Sequence, residues 1–347
     1  MNTGYRVAVV GAGAVGVEMI RILRERAFPI SDLQVLARSD REMVVDGLTY
    51  PVRTTTEEAF AGVQIALFAG TEGEKGAAVT FGPAAVRHGA VVIDNGKDFR
   101  MDPKVPLVVP EVNGEDVEWH EGIIANPNCS TVQMVHALKP LYDLSPIRRI
   151  VVSTYQSISG SGAPAVREFE QQIRAVADGM NMPDYVHIPA QLAQNVLAGC
   201  WTFLENGYQD EEWKMILETH KILHDNQILI SPTTVRVPVI AGHSESVYIE
   251  TERKITADEA RDALSRFPNI RVVDDLLGGE KNPFARSCPT PLDAAGGSDT
   301  LVGRIREDPF VPNGLLLWVV NDNLRKGAAL NAVQIAEEVV RRNRLIR

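Results

Sequence analysis

Cysteine is scarce in this 347-residue chain, which has three: Cys129, Cys200 and Cys288. They lie far apart and form no CxxC pair, which excludes a disulfide scaffold and a cysteine-rich zinc site, so no metal is expected. Positive charge is short as well, with 35 Lys and Arg against 45 Asp and Glu and a formal net charge of -10. Such a surface is unattractive to nucleic acid, and any anionic ligand must be caught by a local basic pocket. Long apolar runs are missing, and the start of the chain lacks a basic-then-apolar signal pattern. No membrane partner is therefore expected, and the expected compartment is the cytoplasm. There is no internal repeat and no low-complexity tract. What is present is an ordinary globular composition, 45% hydrophobic and 23% charged, at a length that suits two domains.

The first local signal is a buried strand, Tyr5-Arg6-Val7-Ala8-Val9-Val10, running into Gly11-Ala12-Gly13-Ala14-Val15-Gly16 and then a helical pattern to Arg26. This is G-x-G-x-x-G with a strand before it and a helix after it. The glycines let the backbone approach a pyrophosphate, which the helix N-terminus then holds. A plain turn is the bland alternative. The second strand, 32–37, ends in Arg38-Ser39. An acidic residue there would suit the ribose hydroxyls of NAD, whereas an arginine suits the 2′-phosphate of NADP. NADP is therefore the expected cofactor, although arginines at strand ends are also common surface residues.

Apolar strands at 63–68 and 90–94, separated by a helical segment at about 74–88, continue the alternation, as do 105–112 and 122–125. That grammar predicts a doubly wound, Rossmann-type parallel sheet. It leads to Ile123-Ile124-Ala125-Asn126-Pro127-Asn128-Cys129-Ser130-Thr131, a short strand, a proline-marked turn, and a cysteine where a helix begins. The first helical turn carries unpaired N–H groups and partial positive charge, which stabilise a thiolate. A buried structural cysteine is the competing reading.

Beyond Cys129 the pattern changes. A strand at 149–155 precedes the polar glycine loop Gln156-Ser157-Ile158-Ser159-Gly160-Ser161-Gly162 and a helix at about 163–178. Helix 213–223 and strands at 228–230, 234–239 and 246–251 follow. Thr256-Ala257-Asp258-Glu259 reads as a capping box opening a helix to Phe267. Further strands at 271–273, 300–306 and 315–320 predict a largely antiparallel sheet with helices on it, an α+β domain. Pro289-Thr290-Pro291 with Ala294-Ala295-Gly296-Gly297 reads as a surface loop. The amphipathic stretch 324–344 is expected to return to the first domain as its covering helix. The expected domains are thus 1–128 with 324–347, binding NADP, and 129–323, catalytic and dimerising.

The chain resembles the aspartate-β-semialdehyde dehydrogenase family over essentially its whole length. The resemblance rests on Asn126-Pro127-Asn128-Cys129-Ser130-Thr131, Gln156-Ser157-Ile158-Ser159-Gly160 and Glu211-Glu212-Trp213-Lys214. It rests also on Val235-Arg236-Val237-Pro238 followed by Gly242-His243-Ser244, and on Asp322-Asn323-Leu324-Arg325-Lys326-Gly327-Ala328-Ala329. It implies that Cys129 forms an acyl-thioester, that Gln156 orients the substrate and that His243 is the acid/base. It implies that Arg236 binds the substrate carboxylate and Glu211 its amino group, with Asn128 also at the substrate, and that Arg100 and Lys214 hold inorganic phosphate. Cofactor contacts fall on Gly11, Ala12, Gly13, Ala14, Val15, Gly16, Arg38, Ser39, Ser159, Gly160 and Asn323. The implied reaction is the NADP-dependent, reversible conversion of aspartate semialdehyde and phosphate to aspartyl phosphate, by a homodimer or a higher oligomer, on the way to lysine, threonine and methionine.

These roles fit the residue types. An α-amino acid needs a cation for its carboxylate and an anion for its ammonium. The nearest rival is an N-acetylglutamyl-phosphate type reductase, but an acetylated amine leaves Glu211 misplaced, and that family reads NPGC rather than NPNC. A catalytically silent assembly protein of the same fold has no need of Cys129, Gln156, Arg236 and His243 together. Departures from the family pattern fall in the first glycine loop, at residues 69–74, and at Asn95-Gly96-Lys97-Asp98.

Overall fold

Strand β1 (Tyr5–Val10) is buried on both faces from Val7 to Val10, with Arg6 exposed at its start. Val7 and Val9 point into one apolar cluster, while Ala8 and Val10 point into another. Strands β5 (Ile65–Phe68) and β6 (Val91–Asp94) divide their side chains in the same way. A central parallel strand covered on both faces reads as a continuous apolar run, as Val7–Val10, Ile65–Phe68 and Val91–Ile93 do. The computed structural model describes residues 4–70, 76–275 and 288–346. The chain forms two compact units, Met1–Asn128 with Gly327–Arg347, and Cys129–Lys326.

The first unit holds a seven-stranded sheet in the order β3-β4-β2-β1-β5-β6-β7, with β2 at Ile30–Ala37, β3 at Arg41–Val45, β4 at Leu48–Thr54 and β7 at Ile123–Ala125. Every pairing is parallel except β3 with β4. That hairpin closes on Asp46-Gly47 at φ +48° and +79°, the left-handed geometry an Asp-Gly hairpin turn requires. Helix α1 (Ala14–Glu25) covers one face of the sheet. On the other face lies α2 (Ala77–Arg87), so the helical segment expected from about residue 74 is described only from Ala77, and its first residues lie outside the described ones. Residues 105–112 do not form the strand the pattern suggests. Leu107 makes one parallel bridge to Ala125, and Pro110–Asn113 turns into the short helix α3.

The C-terminal helix spans Leu330–Arg341 and follows a π-helical turn at Arg325–Ala329, so it starts later than the amphipathic pattern implied. It places Leu330, Val333, Ile335, Ala336 and Val339 in the same cluster as Val7, Val9, Met19 and Ile20. Each large aliphatic side chain buried this way contributes about 1.5–3 kcal/mol. This face is therefore the covering layer that the first 128 residues lack on their own.

The second unit is built on a six-stranded sheet in the order β11-β12-β13-β10-β8-β9. Its strands are β8 (Ile147–Gln156), β9 (Leu229–Arg236), β10 (His243–Thr251), β11 (Ile270–Val272), β12 (Thr300–Glu307) and β13 (Gly314–Asn321). Three pairings are antiparallel, while β8 with β9 and β11 with β12 are parallel. The two strands expected at 228–230 and 234–239 are one, because β9 runs unbroken beside β8 from Leu229 to Arg236. Helices α4 (Cys129–Leu144), α5 (Ala163–Asp178), α6 (Asp210–Leu223) and α7 (Ala257–Arg266) complete the unit. The capping box read at Thr256 and Glu259 forms, with Thr256 N–H donating to Glu259 at 2.8 Å and Glu259 N–H to Thr256 Oγ1 at 3.2 Å. A second one at Gln209 and Glu212 opens α6 three residues before the expected start. The 289–297 loop contains a one-turn helix, Pro291–Ala294, likewise capped by Thr290 and Asp293. Among the described residues no helix is long and apolar enough to cross a membrane.

Candidate active site

The register of the second sheet gathers functional groups at one end. Gln156 is the last residue of β8 and lies opposite Arg236, the last of β9. His243 opens the antiparallel β10, where Ser244 faces Tyr155. The next step of that register sets His243 beside Gln156. All three side chains are at least 96% buried, at 2%, 4% and 0% exposure respectively.

The tautomer of His243 follows from its partners. Ser157 N–H donates to Nδ1 at 3.0 Å, and a backbone N–H can only donate. Nδ1 is therefore the acceptor, and the ring proton sits on Nε2. Nε2 is buried with no hydrogen-bond partner among the described residues. Burial, and secondly the charge of Arg236, push the imidazole pKa well below its ordinary value, so the ring is neutral at pH 7. A polar N–H kept dry and unpaired is costly unless something arrives to use it.

Arg236 Nη1 donates to Ser157 O at 2.6 Å, and the side chain also hydrogen-bonds Cys200. Its Nε is buried and unpartnered. Burial works against the guanidinium charge, and Glu211, then Cys200 and Cys129, favour it. Glu211 is itself 4% exposed, receives Gln156 Nε2–H at 3.4 Å, and pairs with Lys214 at 3.3 Å. Lys214 also reaches Asp210 at 3.2 Å. The order Gln156–Glu211–Lys214 is thus one connected polar chain, and the capping box of α6 presents its last two members. A methyl group added to Gly160 would lie 3.4 Å from His243 Nε2 and 3.5 Å from Arg236 Nη1. The unpaired imidazole N–H and the guanidinium therefore border the same small space, which glycine leaves open.

Ser159 and Asn323 tie the glycine loop down rather than standing loose. Asn323 Oδ1 accepts from Ser157 Oγ at 3.0 Å, Ser159 Oγ at 3.2 Å and Gly242 N–H at 3.0 Å, while its Nδ2 donates to Ser159 Oγ at 3.0 Å. Cys129 is the first residue of α4, half-buried, with no acidic residue in that first turn.

The remaining expected residues lie in the first unit. Gly16 is required by packing, because a Cβ there would come within 1.8 Å of Gly11 O. Gly13 precedes α1 with open space around it, since an added Cβ would meet nothing within 4 Å. No side chain caps α1 and no acid stands in its first turn. Ala12, Ala14 and Val15 complete this loop, and Arg38 and Ser39 stand exposed just past the end of β2. A bare helix start with room above it, and a cation at the next strand end, fit a dinucleotide phosphate chain. Arg100 is buried, donating from Nε to Gly96 O at 3.1 Å and from Nη2 to Asn95 O at 2.9 Å. Asn128, also buried, is the last residue before the second unit.

Sequence reading passed over three residues of this site. Ser157 holds both His243 and Arg236, while Trp201 and Cys200 flank Arg236. The Trp201 ring lies 4.6 Å from the guanidinium carbon. No motif carries the last two. Their signal is structural, an antiparallel bridge between Leu197 and Arg236 that brings residues 197–203 alongside β9.

Residues 6–120 match the family described as Semialdehyde dehydrogenase, NAD binding domain, and residues 138–326 match Semialdehyde dehydrogenase, dimerisation domain. The first unit is therefore of the nicotinamide-dinucleotide-binding type, and the second carries the family's dimerisation domain. An aspartate-semialdehyde dehydrogenase of Aquifex aeolicus is 48% identical over 346 residues, covering 97% of this chain and 98% of its own. The enzyme of that name from Synechocystis is 44% identical, covering 99% of both. The crystal structure of aspartate semialdehyde dehydrogenase II from Vibrio cholerae superposes with a TM-score of 0.90 at 43% identity, covering 98% of this chain and 99% of that one. Another structure of that protein, described as complexed with ASA, matches at a TM-score of 0.90 and 42% identity over the same shares of the two chains. With likeness of this extent over nearly the full length, the chain belongs to the aspartate-semialdehyde dehydrogenase family.

Proposed function

We propose that this protein interconverts L-aspartate 4-semialdehyde plus phosphate and L-4-aspartyl phosphate with NADP, through a thioester on Cys129, as a cytosolic homodimer. The observation that carries the reading is the pairing of a buried cation, Arg236, with a buried carboxylate, Glu211, beside an unpaired His243 N–H. An α-amino acid brings one anion and one cation to such a site, and an aldehyde brings an oxygen that needs a donor. The Vibrio cholerae relative solved with ASA supports the same substrate.

Cys129 thiolate adds to the aldehyde carbon, and the carbonyl oxygen becomes an oxyanion. His243 presents Nε2–H to that oxygen, the geometry in which a fixed dipole stabilises developing charge. The dinucleotide, which the Gly11–Gly16 loop with Arg38 and Ser39 would hold, would supply the hydride acceptor for this oxidation. Arg236 and Glu211 keep the substrate from rotating, which preserves the line between the carbon and Cys129. Gln156 is placed to touch both the substrate and Glu211. Phosphate then attacks the thioester carbonyl, its charge met by Lys214, and Cys129 leaves as thiolate.

A spectrophotometric assay with the semialdehyde, phosphate and either cofactor tests the reading. Phosphate-dependent reduction of NADP+ is expected. No reduction, or equal turnover of the N-acetylated glutamate analogue, would overturn it. The cofactor choice rests on Arg38, exposed at the end of β2. Arg38→Ala should cost about 1.5–3 kcal/mol with NADP, the range for a charged hydrogen bond, and spare NAD. Comparing kcat/KM for the two cofactors checks this, and an equal loss with both would remove Arg38 from the 2′-phosphate.

A further inference from the structure

We infer that Trp201 is a positioning residue that fixes the plane of the Arg236 guanidinium and thereby aims its free edge at the substrate carboxylate, an inference that rests on the function proposed above. A carboxylate clamp needs more than a nearby charge, because two parallel N–H bonds form only when the fork lies in the plane of the carboxylate. The hydrogen bonds to the side chain, Nη1 to Ser157 O at 2.6 Å and a softer one to the Cys200 sulfur, act at the rim of the fork and leave its face uncovered. The Trp201 ring, 4.6 Å from the guanidinium carbon, covers that face and resists rotation of the plane. Arg236 is 4% exposed and Trp201 half-buried, so the guanidinium side of the stack lies out of bulk water, where cation–π attraction is strengthened. The buried, unpartnered Nε is left as the donor on the open edge.

Trp201 is itself well held, and by the element that carries the other half of the recognition pair. Its N–H donates to Gln209 Oε1 at 3.2 Å, and Gln209 Nε2 donates to Ala198 O at 3.1 Å. Asp210 N–H donates to Thr202 O at 2.8 Å. Gln209 is the capping residue of α6, two positions before Glu211. On its other side the segment joins Arg236 directly, with Arg236 N–H to Leu197 O at 2.8 Å and Leu197 N–H to Arg236 O at 3.0 Å. Residues 197–202 therefore bind the backbone of the carboxylate-binding arginine to the helix start that presents the ammonium-binding glutamate. The ring of Trp201 is where this strap acts on a side chain.

The test compares Trp201→Phe, which keeps an aromatic face, with Trp201→Leu, which keeps apolar bulk without one. Steady-state kinetics on the full-length enzyme vary semialdehyde, phosphate and NADP+ in turn. Trp201→Leu should raise the semialdehyde KM roughly tenfold or more, the scale of a desolvated cation–π contact. The phosphate and NADP+ KM values should stay put, and Trp201→Phe should recover most of the loss. In an Arg236→Lys background, Trp201→Leu should add little, because lysine has no plane to fix. Equal losses in Phe and Leu, a rise in all three KM values, or full additivity with Arg236→Lys would each overturn the role. A wild-type enzyme inactive on the semialdehyde would instead sink the proposed function, so the two failures are distinct.

Discussion

Cys129→Ser should reduce turnover by on the order of 10³-fold or more while leaving the fold unchanged. The loss is chemical: an alkoxide is far harder to form at neutral pH than a thiolate, and in the proposed mechanism it is the ionised atom that adds to the aldehyde. The setting of Cys129 favours that ionisation. It is the first residue of α4, with no acidic side chain in the first turn, so unpaired helix N–H groups are not offset by local negative charge. It is half-buried, which leaves a path for substrate. The substitution changes one atom and should not move the melting temperature. Substantial residual activity in a correctly folded serine variant would rule out the thioester. Alkylation experiments need a Cys200→Ser control, because Cys200 lies beside Arg236 and is also only half-buried. Burial holds the Cys200 thiol above its ordinary pKa, with Arg236 opposing, so Cys129 should be the faster of the two to react at pH 7.

The first sheet was legible because its strands are central and parallel. Ile65-Ala66-Leu67-Phe68 is apolar at every position since both faces are covered, and a run of that kind between helical patterns has few other readings. The C-terminal helix could be assigned by a similar argument, from a face that the first 128 residues left uncovered. The β3–β4 hairpin was overlooked at the edge of the same sheet. Its strands carry exposed residues such as Val44 and Leu48, 64% and 48% exposed, so the burial pattern is weak and the Asp46-Gly47 turn is the main signal. Strand β9 was split in two because Pro232 interrupts its apolar pattern. Proline lacks an N–H, yet β9 is the edge strand of the sheet beside β8 among the described residues, and it tolerates the gap. At the candidate site, Cys129, Gln156, Arg236 and His243 were each visible within a local motif. Ser157 sat inside one of those motifs without a role, because its hold on Arg236 is a backbone carbonyl and its backbone N–H joins its hydroxyl at His243 Nδ1, and no side-chain pattern encodes the backbone part. Trp201 was invisible for a different reason. It stands thirty-five positions before Arg236 in the chain, and the pairing of Leu197 with β9 brings the two together.

Arg236→Lys should lower kcat/KM for the semialdehyde at least ~100-fold and leave the phosphate KM almost unchanged. The substitution keeps the charge, so a purely electrostatic role would survive it. What it removes is the planar fork, the stack on Trp201 and the fixed Nε, and with them the orientation of the bound chain relative to Cys129. A displacement of about 1 Å at the reacting carbon is enough for a loss of this size. Lys214→Ala is the complementary experiment. Lys214 pairs with Asp210 and Glu211 at 3.2 and 3.3 Å, so it sits next to the carboxylate proposed to bind the ammonium without being part of the proposed carboxylate clamp. Its removal should raise the phosphate KM roughly 10- to 100-fold, as expected for a charged hydrogen bond, with a smaller change for the semialdehyde. The discriminating quantity is the ratio of the two KM changes in each variant. Opposite ratios place the amino acid on Arg236 and phosphate on Lys214. If both variants lose phosphate affinity alike and the semialdehyde KM is untouched in each, Arg236 is not the carboxylate clamp, and the amino-acid substrate loses its physical basis.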